Sequence, residues 1–323
     1  MINFRSALMT VILAAYLAPL SNGIAAPASA GQLALEAKEA LDTYYGNQAQ
    51  LTRAAELLSR AIAENKGDAS VYVQAARLTI KGGHVVATQF RPGTVDAYGE
   101  LLDRALSLDP RNSKAHILKA EYFHYKGDYV AERAALDKAQ ETGTKDAWLL
   151  VGYGRLYLGL GDVNRAFAYY SKARARGPEK SLEQRNAYVA ALNGLAALAA
   201  DSGDEKALRE LIDATRRGRD SRDAWALGNL ASSLLWAGMF DEAIALSREA
   251  LRTMNYGAGR LTLTAALFAK AAELTLAGKH AAAAPLLSEA RDYGYSKSAM
   301  SGHFNVGTAK VAPLLPILKT IIE

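Results

Sequence analysis

Residues 147–180 read AWLLVGYGRLYLGLGDVNRAFAYYSKARARGPEK, and this stretch decides the fold class. Apolar residues recur every three to four positions on both sides of Gly161-Asp162, which is the period of an amphipathic helix. A glycine readily adopts the left-handed conformation that ends a helix, and a proline such as Pro178 commonly follows the end of one. The stretch therefore predicts two helices joined by a tight turn.

The same arrangement repeats along the chain. Five glycines, each between an apolar helical pattern and an Ala-rich one, are spaced 34, 42, 35 and 40 residues apart: Gly127, Gly161, Gly203, Gly238 and Gly278. A period of about 20–50 residues is typical of one unit that is copied and stacked, because a single helical hairpin cannot bury its own apolar face. The sequence therefore predicts an all-α repeat protein.

The stretch from Ala147 to Lys180 resembles the tetratricopeptide repeat (TPR) family. The family pattern is an aromatic residue or Leu, then Leu-Gly, an aromatic, and later Ala, an aromatic, Ala and Pro. The matching positions here are Leu150, Tyr153-Gly154, Tyr157, Ala166, Tyr170, Ala173 and Pro178. The resemblance implies a right-handed α-solenoid of about seven TPR-like hairpins, with an extended concave face and a C-terminal capping segment.

Other copies match this pattern less completely. The best repeats are 113–146, 147–180, 224–257 and 264–297. In the first of them Glu132 replaces the small Ala of the pattern. Ser181 followed by Gln184 forms a capping box, which predicts an early start for the next helix and an end near Ala200. No linker rich in Gly, Ser or Pro separates the copies, so we expect one continuous domain over 31–323.

Upstream the repeats are looser. Leu35–Tyr45 and a helix around Leu58 fit a first hairpin, and Ala69–Ile80 pairs with Val95–Leu108 in a second. The loop 81–95 between the latter two helices is too long for a tight turn. Long loops in compact domains are often functional, although repeat arrays also tolerate inserted surface loops, and both interpretations stay open.

The first 30 residues have the composition of a secretory leader. Arg5 is their only charged residue, Ala7 to Leu20 is apolar, and Ala28-Ser29-Ala30 places small residues at −3 and −1 of a cleavage site. The sequence therefore predicts a signal peptide over 1–30, cleaved after Ala30, and a periplasmic or secreted product. The alternative is an uncleaved anchor, although the apolar run is shorter than the roughly 20 residues of a spanning helix.

Composition excludes several kinds of chemistry. The chain has no cysteine, which excludes a lipid-anchored N-terminal Cys, thiolate zinc sites and cysteine nucleophiles. The net charge of +5 is modest for 323 residues, so we expect no nucleic-acid partner. Two denser basic runs, 172–180 and 216–222, lie near predicted helix ends, where cations complement the helix dipole. A phosphate or acidic-glycan contact is the alternative for these runs.

Catalytic motifs are absent from the sequence. Its five histidines include no HExxH spacing, the glycines of Gly152-Tyr153-Gly154 lie inside a predicted helix rather than a phosphate loop, and no GxSxG elbow occurs. We therefore expect a protein that is not an enzyme and that needs no cofactor or metal.

The resemblance also implies where a partner would bind. In the TPR family the concave groove is lined by each hairpin's first helix, and this register selects His124, Tyr125, Trp148, Arg155, Trp225, Asn229 and Trp236. This set holds all three tryptophans of the chain, and Trp and Arg are frequent interface hot spots. The alternative is that the tryptophans only fill space between repeats. The family's carboxylate clamp is not expected, because apolar residues such as Leu192 and Ala265 occupy its polar positions.

These features favour an exported, non-catalytic scaffold or adaptor that holds another protein or peptide in its groove. Its expected setting is cell-envelope assembly, secretion or polysaccharide export, with no lipid anchor and no required membrane contact. One alternative is an exported enzyme or enzyme-accessory subunit that uses the 81–95 loop with His84 and Arg91. Another is a chaperone-like holder of unfolded clients.

The C-terminal stretch from Val311 to Ile322 is strongly apolar, with Lys319 as its only charge. The last repeat of an array exposes an apolar flank, so we expect a short helix after Pro316 to cap it. A docking peptide for another protein is the alternative. Pro285 lies inside a predicted helix and suggests that this helix starts late or bends.

Overall fold

The computed structural model describes residues 29–86, 89–178, 181–295 and 311–322. Nearly all of these residues are helical, and the chain divides into two compact units, 1–162 and 163–323. The predicted signal peptide lies outside the described residues except for Ser29 and Ala30. Ser29 caps the first helix, where its Oγ accepts a hydrogen bond from the Gln32 amide at 3.3 Å.

The first unit contains seven helices and one β-hairpin among its described residues. The helices are α1 (Ala30–Asp42), α2 (Gln48–Glu64), α3 (Ala69–Gly83), α4 (Thr94–Leu108), α5 (Ser113–Lys126), α6 (Tyr129–Glu141) and α7 (Ala147–Gly159). The strands β1 (His84–Val86) and β2 (Gln89–Phe90) are antiparallel and connect α3 to α4. The pairs α1/α2, α3/α4 and α5/α6 are hairpins, and α1 also packs on α3 and α5 on α7.

The second unit contains eight α-helices among its described residues. These are α8 (Val163–Ala175), α9 (Leu182–Ser202), α10 (Glu205–Gly218), α11 (Ala224–Trp236), α12 (Phe240–Thr253), α13 (Gly257–Leu276), α14 (His280–Asp292) and α15 (Leu315–Ile321). A 3₁₀ turn, Ala312–Leu314, precedes the last helix. The pairs α9/α10, α11/α12 and α13/α14 are hairpins, and their first helices pack on one another in chain order.

Both units therefore have the arrangement of an all-α solenoid, as the sequence predicts. In the described part of the chain, the first unit has three helical hairpins followed by α7, and the second unit has α8 followed by three helical hairpins and the cap. The expected single continuous domain over 31–323 stays a prediction. The β-hairpin is an addition that the helical pattern does not predict.

The five glycines that define the period all have left-handed backbone conformations, with φ between 70° and 79°. Gly127 shows why the position needs glycine: it ends α5 with φ 71°, and its amide donates to the carbonyl oxygens of Phe123 and His124. A side chain is strained in this conformation, so glycine is favoured wherever the chain reverses this tightly. Asp128 follows and caps α6 through the Ala131 amide at 2.9 Å.

Other predicted ends are also confirmed. Ser181 accepts a hydrogen bond from the Gln184 amide at 3.2 Å, and α9 runs on to Ser202. α15 packs on α13, and its Leu318 is buried, so the C-terminal segment is a cap.

Pro285 does not delay its helix, because α14 begins at His280 and continues through the proline.

Candidate functional site

The predicted groove residues lie on three first helices. The first unit carries His124 and Tyr125 on α5 and Trp148 and Arg155 on α7. The second unit carries Trp225, Asn229 and Trp236 on α11. In the first unit the structure joins three of these residues, His124, Tyr125 and Arg155, through the carboxylates of Glu121 and Glu132.

Glu121 is the centre of this network. Its carboxylate accepts hydrogen bonds from the Tyr98 hydroxyl at 2.9 Å, the Tyr125 hydroxyl at 3.0 Å and Arg155 Nη1 at 3.1 Å. Tyr125 lies one helical turn after Glu121 on α5, whereas Tyr98 comes from α4 and Arg155 from α7. The carboxylate therefore links three helices of the first unit.

Glu132 is the second carboxylate. It lies on α6, its side chain is 0% exposed, and His124 Nδ1 is 3.0 Å from its Oε2. Arg155 Nε lies 3.7 Å from its Oε1, beyond hydrogen-bond distance, so this contact is purely electrostatic. The departure at Glu132 from the small residue of the repeat pattern thus has a physical role. Buried charges need a partner of opposite sign, and Arg155 serves both carboxylates.

The network shifts the acidities of its members. Burial opposes ionisation of Glu121, but the charge of Arg155 and the hydrogen bonds from Tyr98, Tyr125 and Arg155 hold its pKa below the ordinary value. Burial and the nearby Glu121 charge raise the pKa of Tyr98 and of Tyr125 well above the usual range. Burial disfavours the charge of Arg155, yet Glu121, Tyr125 and Glu132 outweigh this effect and raise its pKa. Glu121 is therefore an anion at neutral pH, and both tyrosines are neutral donors.

The predicted loop 81–95 folds back onto this network. It forms the β1–β2 hairpin, whose Phe90 ring lies 4.8 Å from the Tyr125 ring, centroid to centroid, and 5.6 Å edge-on from the His84 ring. The Arg91 amide donates to the Gly83 carbonyl at 2.8 Å and closes the neck of the hairpin. The loop thus lies beside titratable groups, and Arg91 and Val85 are exposed on it.

Trp148 occupies the first turn of α7. Its amide donates to the capping Asp146 carboxylate at 2.9 Å, and its ring is half-buried. Lys114 from α5 contacts both residues: its Nζ lies 2.8 Å from Asp146 Oδ2 and 5.8 Å from the centroid of the Trp148 ring. Such a cation–π contact orients the indole and leaves part of the ring open to solvent.

The site residues of the second unit lie on one face of α11. Trp225 and Asn229 are four residues apart, so they are neighbours on the helix surface. Trp225 and Trp236 are half-buried, and Asn229 is exposed. Behind them, Gly228 leaves room for the Tyr256 ring, because a Cβ at Gly228 would collide with the Tyr256 hydroxyl.

The basic run 216–222 is held in local contacts. Arg216 Nη2 lies 2.6 Å from Glu249 on α12, and Arg222 Nε lies 2.9 Å from Asp220 Oδ1. Arg219 Nη1 donates to the carbonyl oxygens of Asp220 and Ser221. Hydrogen bonds from Arg222 lower the pKa of Asp220 to about 2. These contacts fit the structural role expected for cations at a helix end.

The described residues contain no group of three or more His, Cys, Asp or Glu side chains that could hold a metal ion. None of their helices combines the length and apolar character needed to cross a membrane.

Comparison with known proteins gives likeness at the level of fold. No protein-family model matches the chain, and no curated protein matches it. Among solved structures, the APC/C hetero-tetramer Cut9–Hcn1 matches 99% of this chain with a TM-score of 0.54 and 14% sequence identity. The match covers 53% of the Cut9–Hcn1 chain, so the present chain spans about half the length of that protein. A TPR protein from Parabacteroides merdae matches 88% of this chain and 99% of its own, with 14% identity and a TM-score of 0.44.

A third structure is YrrB, described as a TPR protein with an unusual peptide-binding site. It covers 66% of this chain and 97% of its own, with 20% identity and a TM-score of 0.36. Identities this low show the fold alone. The helix pairs of the two units themselves show an all-α solenoid arrangement, and the function has to be argued from the chain's own residues.

Proposed function

We propose that this chain is a non-catalytic scaffold whose first-helix surface in the first unit holds a segment of a partner protein. The observation that carries the proposal is the arrangement of the two aromatic side chains Trp148 and Tyr125. Each is only half-buried although its helix is packed on both sides. The ammonium group of Lys114 orients the Trp148 ring, and a hydrogen bond to Glu121 orients the Tyr125 ring.

Rigid, half-exposed aromatic side chains are suited to binding. Tyr and Trp give a large contact area at a small entropic cost, and pre-orientation by neighbours lowers that cost further. The Glu121 and Glu132 network supports this surface, because it connects α4, α5, α6 and α7 through buried charges. We propose Arg155 and His124 as further contacts on this surface, and the α11 residues Trp225, Asn229 and Trp236 as a separate contact surface of the second unit.

An enzyme-accessory role is the second candidate, and the position of the β1–β2 hairpin is the observation that favours it. The hairpin lies beside titratable groups, as such a role requires. The carboxylates themselves argue against general acid–base work, however. Glu121 has a lowered pKa and three donors, whereas a general acid or base works best with a pKa near the operating pH. Glu132 is fully buried and has no route to a substrate.

Export is a further part of the proposal, and its support is the sequence of residues 1–30. The proposed setting is cell-envelope assembly, secretion or polysaccharide export. Fractionation of cells that express the full chain, with N-terminal sequencing of the product, tests it. Recovery of the uncleaved chain from the cytoplasmic fraction would contradict export.

Site-specific photo-crosslinking tests the scaffold proposal. A benzoyl-phenylalanine placed at Trp148 should give adducts with a discrete partner polypeptide in envelope extract. In affinity purification without the crosslinker, the variant Trp148→Ala with Trp225→Ala should no longer recover this partner. The matched control is the same crosslinker at Val130, which is 84% exposed on the second helix α6. Adducts of equal yield from both positions, or none from Trp148, would contradict the proposal. Thermal denaturation of each variant separates loss of binding from loss of fold.

A further inference from the structure

The network around Glu121 and Glu132 contains more negative than positive charge. Both residues are carboxylates, and Arg155 is the one Lys or Arg side chain that contacts them in the part of the chain that the structure describes. His124 donates to Glu132 through Nδ1, because a carboxylate only accepts, and a neutral imidazole does not balance the charge. With His124 neutral, the network therefore carries a net charge of −1.

The Glu121 carboxylate also has acceptor capacity left over. Its Oε1 accepts from the Tyr125 hydroxyl and from Arg155, whereas its Oε2 accepts from the Tyr98 hydroxyl alone among the described residues. Each carboxylate oxygen can accept two hydrogen bonds, so one position at Oε2 is left. The Glu121 side chain is 25% exposed, whereas that of Glu132 is 0% exposed. Glu121 is therefore the carboxylate that a donor from another molecule can reach.

Two aromatic rings adjoin this carboxylate. Tyr125 lies one helical turn after Glu121, and its hydroxyl is 3.0 Å from Glu121 Oε1. Phe90 of the β1–β2 hairpin lies 4.8 Å from the Tyr125 ring, centroid to centroid, and the two ring planes are tilted by 60°. Both residues are half-buried, so part of each ring is open to solvent. Because the face of an aromatic ring attracts cations, the rings and the carboxylate favour the same charge on a ligand.

Arginine matches this combination better than lysine does. Its planar guanidinium can stack on a ring while its N–H groups donate in the plane to a carboxylate. A lysine ammonium is a compact and strongly hydrated charge, so it gains less from the ring faces. A hydrogen bond between two charged groups is also about twice as strong as a neutral one, so this contact distinguishes arginine from a neutral side chain of the same shape.

We propose that Glu121, Tyr125 and Phe90 bind an arginine side chain of the partner segment. This inference rests on the scaffold function proposed above and names the residue type that the surface of the first unit selects. The guanidinium donates to Glu121 Oε2 and stacks on the exposed faces of the Tyr125 and Phe90 rings. Arg155 keeps its bond to Oε1, and the two carboxylates of the network then supply one negative charge for each guanidinium.

Fluorescence anisotropy with two peptides of the same shape tests the inference. One probe is a fluorescein-labelled, amidated twelve-residue peptide with one arginine and two leucines among serines and glycines. The other has citrulline in place of the arginine, which keeps the shape of the side chain and removes its charge. We expect the full chain to bind the arginine peptide roughly tenfold more tightly than the citrulline peptide.

Three variants locate this preference. Glu121→Gln keeps the shape of the side chain and removes its charge, so it should bind both peptides with the same, weaker affinity. Phe90→Leu removes a ring without touching the buried charges, and it should weaken binding of the arginine peptide roughly threefold. The matched control is Glu141→Gln on α6, whose carboxylate is 64% exposed and pairs with Lys138, and it should keep the full preference. Thermal denaturation shows which variants are folded, and Phe90→Leu provides the test if Glu121→Gln is not.

Three results would overturn the inference: no binding of the arginine peptide, equal binding of the two peptides, or an equal loss of preference in Glu141→Gln. The scaffold function fails separately. If crosslinks from Trp148 identify a partner whose binding is insensitive to Glu121→Gln and to Phe90→Leu, the scaffold stands and the arginine site is wrong. If Trp148 gives no crosslink although the arginine peptide binds with the expected preference, the arginine site stands and the proposed scaffold surface at Trp148 is wrong.

Discussion

Arg155 Nη1 on α7 lies 3.1 Å from Glu121 Oε1 on α5, and the two residues are 34 positions apart. This separation equals that between Gly127 and Gly161, so Arg155 and Glu121 occupy equivalent positions in successive repeats. The ion pair therefore runs from one first helix to the next in the first unit. It fixes how α5 and α7 pack, and it orients Tyr125 through the shared carboxylate.

Replacing Arg155 by Ala should destabilise the first unit. Glu132 is fully buried and Glu121 largely so, and without Arg155 the two carboxylates lose their shared cation. Removing one partner of a buried ion pair costs about 3 kcal/mol, and the partial exposure of Arg155 and Glu121 reduces this to about 2 kcal/mol in the free energy of unfolding. Urea denaturation followed by circular dichroism measures the change.

Arg133→Ala provides the control for this prediction. Arg133 and Asp137 form a pair of exposed side chains on α6, 3.8 Å apart, and such pairs contribute about 0.5 kcal/mol or less. A similar loss in both variants would mean that the Arg155 network has no special role. The double variant Arg155→Met with Glu121→Met should recover part of the stability, because it removes opposite charges together.

The lowered pKa of Glu121 predicts acid sensitivity. Its folded pKa lies below its unfolded value, so its stabilising contribution is fully present above the unfolded pKa of about 4.3 and is lost as the pH falls through the folded pKa. Glu121→Gln should therefore be less stable at neutral pH and lose less stability on acidification. Unfolding free energies measured between pH 6 and pH 3 test this, and parallel curves for the two proteins would contradict it.

Turns and helix ends follow from the sequence because they depend on local chemistry. Gly127 and Gly161 mark chain reversals that need a left-handed conformation, and Ser181 supplies a cap only three residues from its donor. The predicted fold class follows from these signals and their period. The length of the loop 81–95 marks it as unusual, but the sequence does not predict its β-hairpin, because strands of three and two residues are too short to show an alternation of apolar and polar residues.

The contacts that come from outside the repeat register were harder to predict. The repeat register selects positions that face the groove, so it found Tyr125 and Arg155. It did not select Tyr98, which comes from the second helix of the preceding hairpin and reaches Glu121 across 23 residues. Glu132 carried a signal, since a charged residue in a position that calls for a small one requires a buried partner.

Gly83→Ala should disrupt the neck of the β1–β2 hairpin. Gly83 ends α3, and a Cβ there would lie 2.8 Å from Thr94 Cβ and closer still to both γ atoms of Thr94. Alanine in a helix gains about 1 kcal/mol over glycine, but a collision with a buried β-branched residue outweighs this gain and should cost about 2 kcal/mol net. The loss of the Phe90–Tyr125 contact is measured by NMR chemical shifts of the two rings.

Two variants control the Gly83 prediction. Gly83→Ala with Thr94→Ala should recover part of the stability, because the γ atoms that collide are removed. Gly257→Ala should be neutral or slightly stabilising, since no atom lies within 4 Å of the added Cβ at the start of α13. If Gly83→Ala is as stable as Gly257→Ala, the neck is more adaptable than the packing indicates.

Tyr256 predicts a loss of stability in alkali. Burial and the nearby Asp223 charge raise the pKa of Tyr256 to about 12, above its ordinary value near 10. Its contribution is therefore fully present below pH 10 and is lost as the pH rises towards 12. Tyr256→Phe should keep the ring behind Gly228. The variant should lose little stability at neutral pH, because the hydrogen bond from the Tyr256 hydroxyl to the Ala224 carbonyl is long at 3.4 Å. Its free energy of unfolding should fall less steeply above pH 10 than that of the wild type. Urea denaturation between pH 8 and pH 11 tests the prediction, with Tyr72→Phe, a half-buried tyrosine of the first unit, as the control. An unchanged slope in Tyr256→Phe would show that other groups, such as Tyr98 and Tyr125, dominate the alkaline transition.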